Sequence, residues 1–176
     1  MNFVRSLLYV VFLYGSMAVI GLIFVPAALF SREAALIAPR VWARLAIGAL
    51  RIICGADVRI EGQENIPAGP ALYASKHQAM LDTLTPFLAL DRPSIVLKKE
   101  LLSMPIFGWF ANRSGMIAID REAHARALKG MMRAARTRVA EGRDIVIFPE
   151  GTRQEVGAAP DYKPGVAALY RDLGVP

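Results

Sequence analysis

The chain has 176 residues, enough for one domain with a core of its own and an attached anchor, and it carries a formal net charge of +6. Hydrophobic residues make up 55% and charged residues only 20%, which is more apolar than an ordinary soluble domain. The single cysteine, Cys54, rules out an intramolecular disulfide and fits a reducing compartment. No CxxC or Cys/His cluster points to a metal, and no helix-turn-helix, zinc-finger or RRM-type signature points to nucleic acid.

The first element is an uncharged apolar run over residues 6–31. As a helix its 26 residues extend about 39 Å, against a bilayer hydrocarbon core of about 30 Å, so a tilted span is expected. The run is too long for the apolar part of a signal peptide, and no A-x-A cleavage site follows it. Pro26, Gly15 and Gly21 also allow a bent, half-inserted hairpin. Residues 32–54 follow as a helix with Arg40, Arg44 and Arg51 on one face, either lying on a membrane surface or packed on the domain with that face in water. Because Arg32, Arg40, Arg44 and Arg51 outnumber Arg5, the positive-inside rule places everything after residue 31 in the cytoplasm.

From Gly55 onward short strands alternate with helices. Strands are expected at residues 57–61, 70–75, 94–97, 115–119 and 144–148, and helices at about residues 81–90, 122–141 and 165–172. The expected fold is therefore α/β, a mixed sheet covered by helices behind an N-terminal membrane-associated helical segment. We expect residues 1–54 to form the anchor and 55–176 the catalytic domain. Residues 101–110 (LLSMPIFGWF) read either as a loop facing lipid or an acyl chain, or as ordinary core. On the helix beyond residue 121, Arg126, Lys129, Arg133 and Arg136 form a stripe for water or for anionic headgroups.

Three short stretches carry the chemistry. His77 and Asp82 stand five apart, about 140° around a single helix, so they meet only if His77 lies in a turn and Asp82 in the first helical turn beyond it. A carboxylate folded back on the imidazole in that way makes a general base for a hydroxyl. Phe148-Pro149-Glu150-Gly151-Thr152-Arg153 follows the strand at residues 144–148, where a glycine and an arginine fork suit an anion at a sheet edge. Arg121 ends a third apolar strand and Lys98 a fourth, so the cations converge on a phosphate if the sheet is parallel there.

These stretches resemble the PlsC-type family of 1-acylglycerol-3-phosphate acyltransferases over roughly residues 60–176. His77 and Asp82 match the family's H-x-x-x-x-D, residues 115–121 resemble its G-x-x-x-I-D-R block, and residues 148–153 are identical to its F-P-E-G-T-R block. Lys76 and Ala79 depart from the family's usual Asn and Ser, which leaves the acid–base pair intact and the substrate identity open.

The resemblance implies that His77 deprotonates the sn-2 hydroxyl of a lysophosphatidic acid acceptor, which attacks the thioester of acyl-CoA or acyl-carrier protein to give phosphatidic acid. Asp82 fixes the imidazole. Arg121 and Arg153 hold the acceptor phosphate with help from Lys98, while Glu150, Gly151 and Thr152 shape the acceptor site. No metal, cofactor or protein nucleophile is implied, anionic membrane lipid is an expected partner, and the catalytic domain is expected on the cytoplasmic side of the membrane. Alternatives are transfer to a lyso-ornithine lipid or another lysophospholipid, a catalytically inactive membrane adapter, and, more weakly, hydrolysis. Family members continue through a lysine and a glycine, matched by Lys163 and Gly165, to a V-P-x-x-P-V strand. Gly174-Val175-Pro176 falls where that strand begins, so the domain is expected to lack its C-terminal part, leaving the strand at residues 144–148 short of a neighbour.

Overall fold

The computed structural model describes residues 2–120 and 124–176. Two long helices open the chain, α1 (Asn2–Phe30) and α2 (Arg32–Ala49), and the second ends in a wider turn at Leu50–Cys54. Ser31 is extended and its hydroxyl accepts a hydrogen bond from the Ala34 N–H at 3.3 Å, which caps α2 and reverses the chain. The helices run antiparallel: the Trp42 indole N–H donates to the Leu13 carbonyl at 3.0 Å, and the Cys54 thiol lies 3.9 Å from the Arg5 carbonyl. One side of α1 is covered, while Phe3, Leu7, Val11, Leu22, Ile23 and Phe30 on the rest of it are exposed. Over Phe3–Phe30 the helix is long and apolar enough to cross a membrane.

For residues 32–54 the structure has the helix packed on the domain, one of the two arrangements expected of it. Residues of α1 and α2 share one core with the sheet, in which Leu13, Ile20, Trp42 and Ala46 pack with Phe87, Leu90, Ile95 and Val146. The arginine face also divides. Arg44 and Arg51 are exposed, but Arg40 turns in and donates to the carbonyls of Phe87 (3.3 Å) and Leu90 (3.2 Å), and to that of Asp91.

Four strands follow, β1 (Leu72–Ala74), β2 (Pro93–Lys98), β3 (Ile117–Ile119) and β4 (Asp144–Ile147), all paired in parallel in the order β1-β4-β2-β3. The expected mixed sheet is thus parallel throughout these pairs. A two-residue period sorts the side chains: Tyr73, Ile95 and Val146 meet the hairpin side, and Leu72, Val96, Ile145 and Ile147 meet the other. That second face is covered by α5 (His124–Ala140) and α6 (Gly165–Leu173) through Met131, Ala135 and Leu169. The hairpin side also carries the short helices α3 (Pro86–Ala89) and α4 (Phe107–Arg113), with Phe87 and Phe110 buried. Burying a side chain such as Ile145 or Val146 contributes about 1.5–3 kcal/mol, so the alternation pins the strand register.

Three expectations change. Residues 57–61 form no strand, residues 81–90 divide into a 3-10 turn (Met80–Thr83) and α3 with Pro86 at its first turn, and β4 has neighbours on both sides, β1 and β2. Among the described residues the edge strands are β1 and β3, and along β1 the Leu72 N–H donates to the Pro176 carbonyl at 2.7 Å.

Candidate active site

Because all four strands are parallel, their C-terminal ends lie along one edge, and because β1 and β4 are adjacent, the segments that follow them are neighbours. One is residues 75–83, with His77 in an irregular stretch and Asp82 in the 3-10 turn; the other is residues 148–154. The turn lets the carboxylate reach back, and His77 Nδ1 lies 3.3 Å from Asp82 Oδ2. The same oxygen accepts the backbone N–H groups of Gln78 at 2.5 Å and Ala79 at 2.8 Å. Burial pushes the Asp82 carboxyl up, but the N–H groups of Ala79 and Gln78 and the His77 ring outweigh it and hold the carboxyl below its ordinary value.

The two segments clasp each other across the strand ends. The His77 N–H donates to Glu150 Oε2 at 3.1 Å, the Gln154 N–H donates to the His77 carbonyl at 2.7 Å, and the imidazole stacks on the Phe148 ring with centroids 4.4 Å apart and planes inclined by 28°. Both backbone groups of His77 are therefore engaged, its ring has a platform, and its Nδ1 faces a carboxylate. Nε2 is the nitrogen left for a substrate proton.

Glu150 is turned inward, into the clasp of the two loops. It is 2% exposed, and its carboxylate faces the His77 backbone. Gly151 takes φ +71°, where a side chain would be strained, and its N–H donates to the Phe148 carbonyl at 3.0 Å, closing the turn. That bond turns the N–H away from an oxyanion role. Thr152 and Arg153 are exposed beyond the turn. Lys98 ends β2, next to β4, with its ammonium 3.5 Å from Glu100. Arg121 lies outside the described residues, and what precedes it, β3, stands at the far edge of the sheet.

Phe148 as a stacking platform and Gln154 as the second backbone tie went unread in the sequence. The F-P-E-G-T-R stretch signalled the first by position alone, and nothing local signals the second. The apolar stretch near residues 101–110 becomes a 3-10 turn (Lys99–Ser103) and α4, with Phe110 buried, Leu101 exposed, and Met104 and Trp109 exposed at a cavity of about 430 Å³.

A histidine oriented by a carboxylate at the C-terminal edge of a parallel α/β sheet makes a site of the general-base type. Residues 57–176 match the Acyltransferase family model, and the chain belongs to that family. It is 38% identical over 135 residues to the 1-acyl-sn-glycerol-3-phosphate acyltransferase of Pseudomonas aeruginosa, covering 77% of this chain and 52% of that protein. It is 29% identical over 116 residues to the protein of the same name from Saccharomyces cerevisiae, covering 64% of this chain and 38% of that one. The fold matches the crystal structure of the 1-acyl-sn-glycerophosphate acyltransferase PlsC from Thermotoga maritima with a TM-score of 0.80 at 23% identity, over 100% of this chain and 73% of that one. The chain spans about half the length or less of these curated relatives.

Proposed function

We propose that the chain transfers a fatty acyl group from a thioester donor, acyl-CoA or acyl-carrier protein, to the sn-2 hydroxyl of 1-acylglycerol-3-phosphate, forming phosphatidic acid. The carrying observation is the His77–Asp82 contact at 3.3 Å inside the clasp of the two loops. His77 Nε2 takes the hydroxyl proton as the oxygen attacks the thioester carbonyl. The tetrahedral intermediate collapses with loss of the thiolate, and His77 returns the proton to sulfur. One ester and one thiol result. Asp82, held ionised by backbone N–H groups, stabilises the imidazolium between these two transfers.

Arg153, with Arg121 and Lys98, receives the acceptor phosphate beyond the sheet edge, and Thr152 lines the approach. Glu150 and Gly151 hold the loops from beneath. The relatives' shared name supports this acceptor. The uncovered side of α1 enters the membrane, with the hairpin as anchor and residues 55–176 as the catalytic unit on the cytoplasmic face. Since Arg5 and Cys54 lie at the same end of the hairpin, α1 seats by its exposed side and does not stand free of the domain.

The test offers the membrane-reconstituted chain labelled acyl-CoA or acyl-carrier protein with a panel of lysolipids, scoring ester product and free fatty acid. The reading requires phosphatidic acid to dominate with lysophosphatidic acid, and His77→Ala to lower the rate by about 10²-fold or more. Equal use of lysolipids without a phosphomonoester, or free fatty acid as the main product, would refute it.

A further inference from the structure

The opposite edge of the sheet carries a second concentration of charge that acyl transfer does not use. Arg92 stands just before β2, Gly115 shortly before β3 and Arg143 just before β4, so all three lie where the parallel strands begin. They line a cavity of about 310 Å³ closed by the start of α2 (Arg32, Glu33) and the end of α4 (Arg113), with Arg138 and Glu141 on the last wall. His77 and Glu150 follow the other ends of these strands. From Arg143 to Phe148 the chain advances about 17 Å at roughly 3.3 Å per residue, so the two places are separate.

The cavity is over-supplied with cations: five arginines line it against two carboxylates. Glu33 pairs with Arg92 at 2.7 Å and Glu141 with Arg138 at 2.6 Å, which uses both carboxylates. Arg113 spends its Nε and one terminal nitrogen on the carbonyls of Ala28 (2.8 Å) and Leu29 (2.9 Å), capping α1 without a counter-charge. Arg143 is 4% exposed; one terminal nitrogen donates to the Pro93 carbonyl at 2.9 Å, and its buried Nε has no hydrogen-bond acceptor. The Nε atoms of Arg92 and Arg138 are buried and unpartnered as well. Burial, with Arg138 and Arg92 close by, pulls the Arg143 guanidinium down to about 10. Gly115 takes φ +79°, and a Cβ there would sit 2.2 Å from an Arg143 terminal nitrogen, so the backbone leaves the guanidinium its place.

We propose that this cavity is a second anion site, distinct from the catalytic edge, which binds a phosphate group among Arg32, Arg92, Arg138 and Arg143. Planar guanidinium forks match the tetrahedral oxygens of phosphate, and a buried guanidinium short of acceptors gains most from one. The phosphate has two possible sources. Phe30 is 91% exposed and Leu29 56% exposed at the tip of the hairpin, two and three residues before Arg32, so the headgroup phosphate of an anionic phospholipid can reach the cavity from a bilayer touching that tip. Free phosphate can reach it from water.

The test uses the full chain in detergent, melted with inorganic phosphate or with sodium chloride at equal ionic strength. At ten times its Kd, phosphate raises Tm by roughly 3–5 °C above the chloride control. Arg32→Glu, at an exposed position, removes most of that difference. Glu33→Gln, which deletes one competing carboxylate, lowers the phosphate Kd a few-fold even though it breaks an ion pair. Arg153→Ala leaves the difference in place. An equal response to the two salts, an undiminished response in Arg32→Glu, or a loss in Arg153→Ala instead would overturn the proposal. Reconstitution in phosphatidylglycerol or phosphatidylcholine vesicles separates the sources. A lipid headgroup raises the Tm of the parent chain, but not of Arg32→Glu, in phosphatidylglycerol and abolishes the further effect of phosphate there. A free-phosphate site responds to phosphate equally in both lipids.

Discussion

Replacing Asp82 by Asn separates the chemical part of the dyad from its structural part. A single carboxylate oxygen, Oδ2, meets the His77 ring and the N–H groups of Gln78 and Ala79. An asparagine carbonyl in that position still accepts the backbone bonds, so the 3-10 turn persists while the charge is lost. At 3.3 Å the attraction between a carboxylate and an imidazolium is about 1.3 kcal/mol at a water-like dielectric of 80 and about 5 kcal/mol at an effective 20. The His77 and Asp82 side chains are 16% and 26% exposed, which places the pair between these limits. The expected loss of imidazolium stabilisation of about 2–4 kcal/mol corresponds to a fall in kcat of roughly 30- to 10³-fold. KM for both substrates should stay within about threefold, because neither is held by Asp82. The pH dependence gives a second readout. A carboxyl held below its unfolded value contributes stability that is present above the unfolded pKa of about 3.9 and is lost as pH falls through the lower folded value. Asp82→Asn should remove that acid-side contribution. Initial rates with labelled acyl donor, alongside melting curves from neutral to acid pH, measure both effects. A kcat within threefold of the parent, or a loss of rate accounted for by unfolded protein, would refute the assignment of Asp82 as the group that stabilises the imidazolium.

Substitutions at four further positions probe the loops beside the dyad and the packing of α1. Glu150→Gln keeps an acceptor for the His77 N–H and should cost about 1 kcal/mol, whereas Glu150→Ala leaves that donor unpaired and should cost about 2–3 kcal/mol, as read from denaturant midpoints, with kcat falling further in the Ala variant. Arg153→Ala should raise the KM for lysophosphatidic acid by about tenfold or more with the donor KM unchanged, as measured by varying each substrate in turn. A Cβ at Gly21 would sit 2.2 Å from Ile106 Cγ2, so Gly21→Ala should force α1 from α4 at about 1–3 kcal/mol; Gly15→Ala, with nothing within 4 Å, should hold or raise the Tm.

The legible parts of the molecule were those in which the sequence records its own neighbours. The apolar run of α1 and the β-branched stretch 144–147 show their environment in their composition, and both elements stand where the residues place them. Residues 57–61 show the limit of that method. Their alternation describes an extended segment with two unlike faces, but a strand also needs a partner edge, and residues 57–61 pair with none of the described strands. The apolar pattern at residues 81–90 likewise hides a break, since Pro86 has no N–H to donate and starts a new helix. Arg40 was grouped by periodicity with two outward arginines, yet it caps carbonyls 47 to 51 residues away, a fact of tertiary packing alone. The fold-back of Asp82 needs only five residues of chain, whereas the contact of His77 with Glu150 needs the sheet order that sets β1 beside β4 across 73 residues.

That sheet order bears on how the site divides its charges. Asp82 and Glu150 both face His77, one at the ring and one at the backbone N–H, and among the described residues neither is paired with a lysine or an arginine. Asp82, with no cation of its own, is left to stabilise the imidazolium that forms as the hydroxyl proton is taken. Pairing Asp82 with an arginine would cancel that stabilisation. Backbone N–H groups do not: they satisfy Asp82 Oδ2 with dipoles instead of full charges, so the carboxylate keeps its negative charge beside the ring. The cations Arg153 and Lys98 lie outside this arrangement, exposed at the ends of the same parallel strands. An incoming phosphate can be drawn to them without disturbing the contact of Asp82 with the His77 ring. The spacing in F-P-E-G-T-R produces this separation, because the Gly151 turn sends Glu150 inward beneath the histidine and Arg153 outward into solvent within three residues.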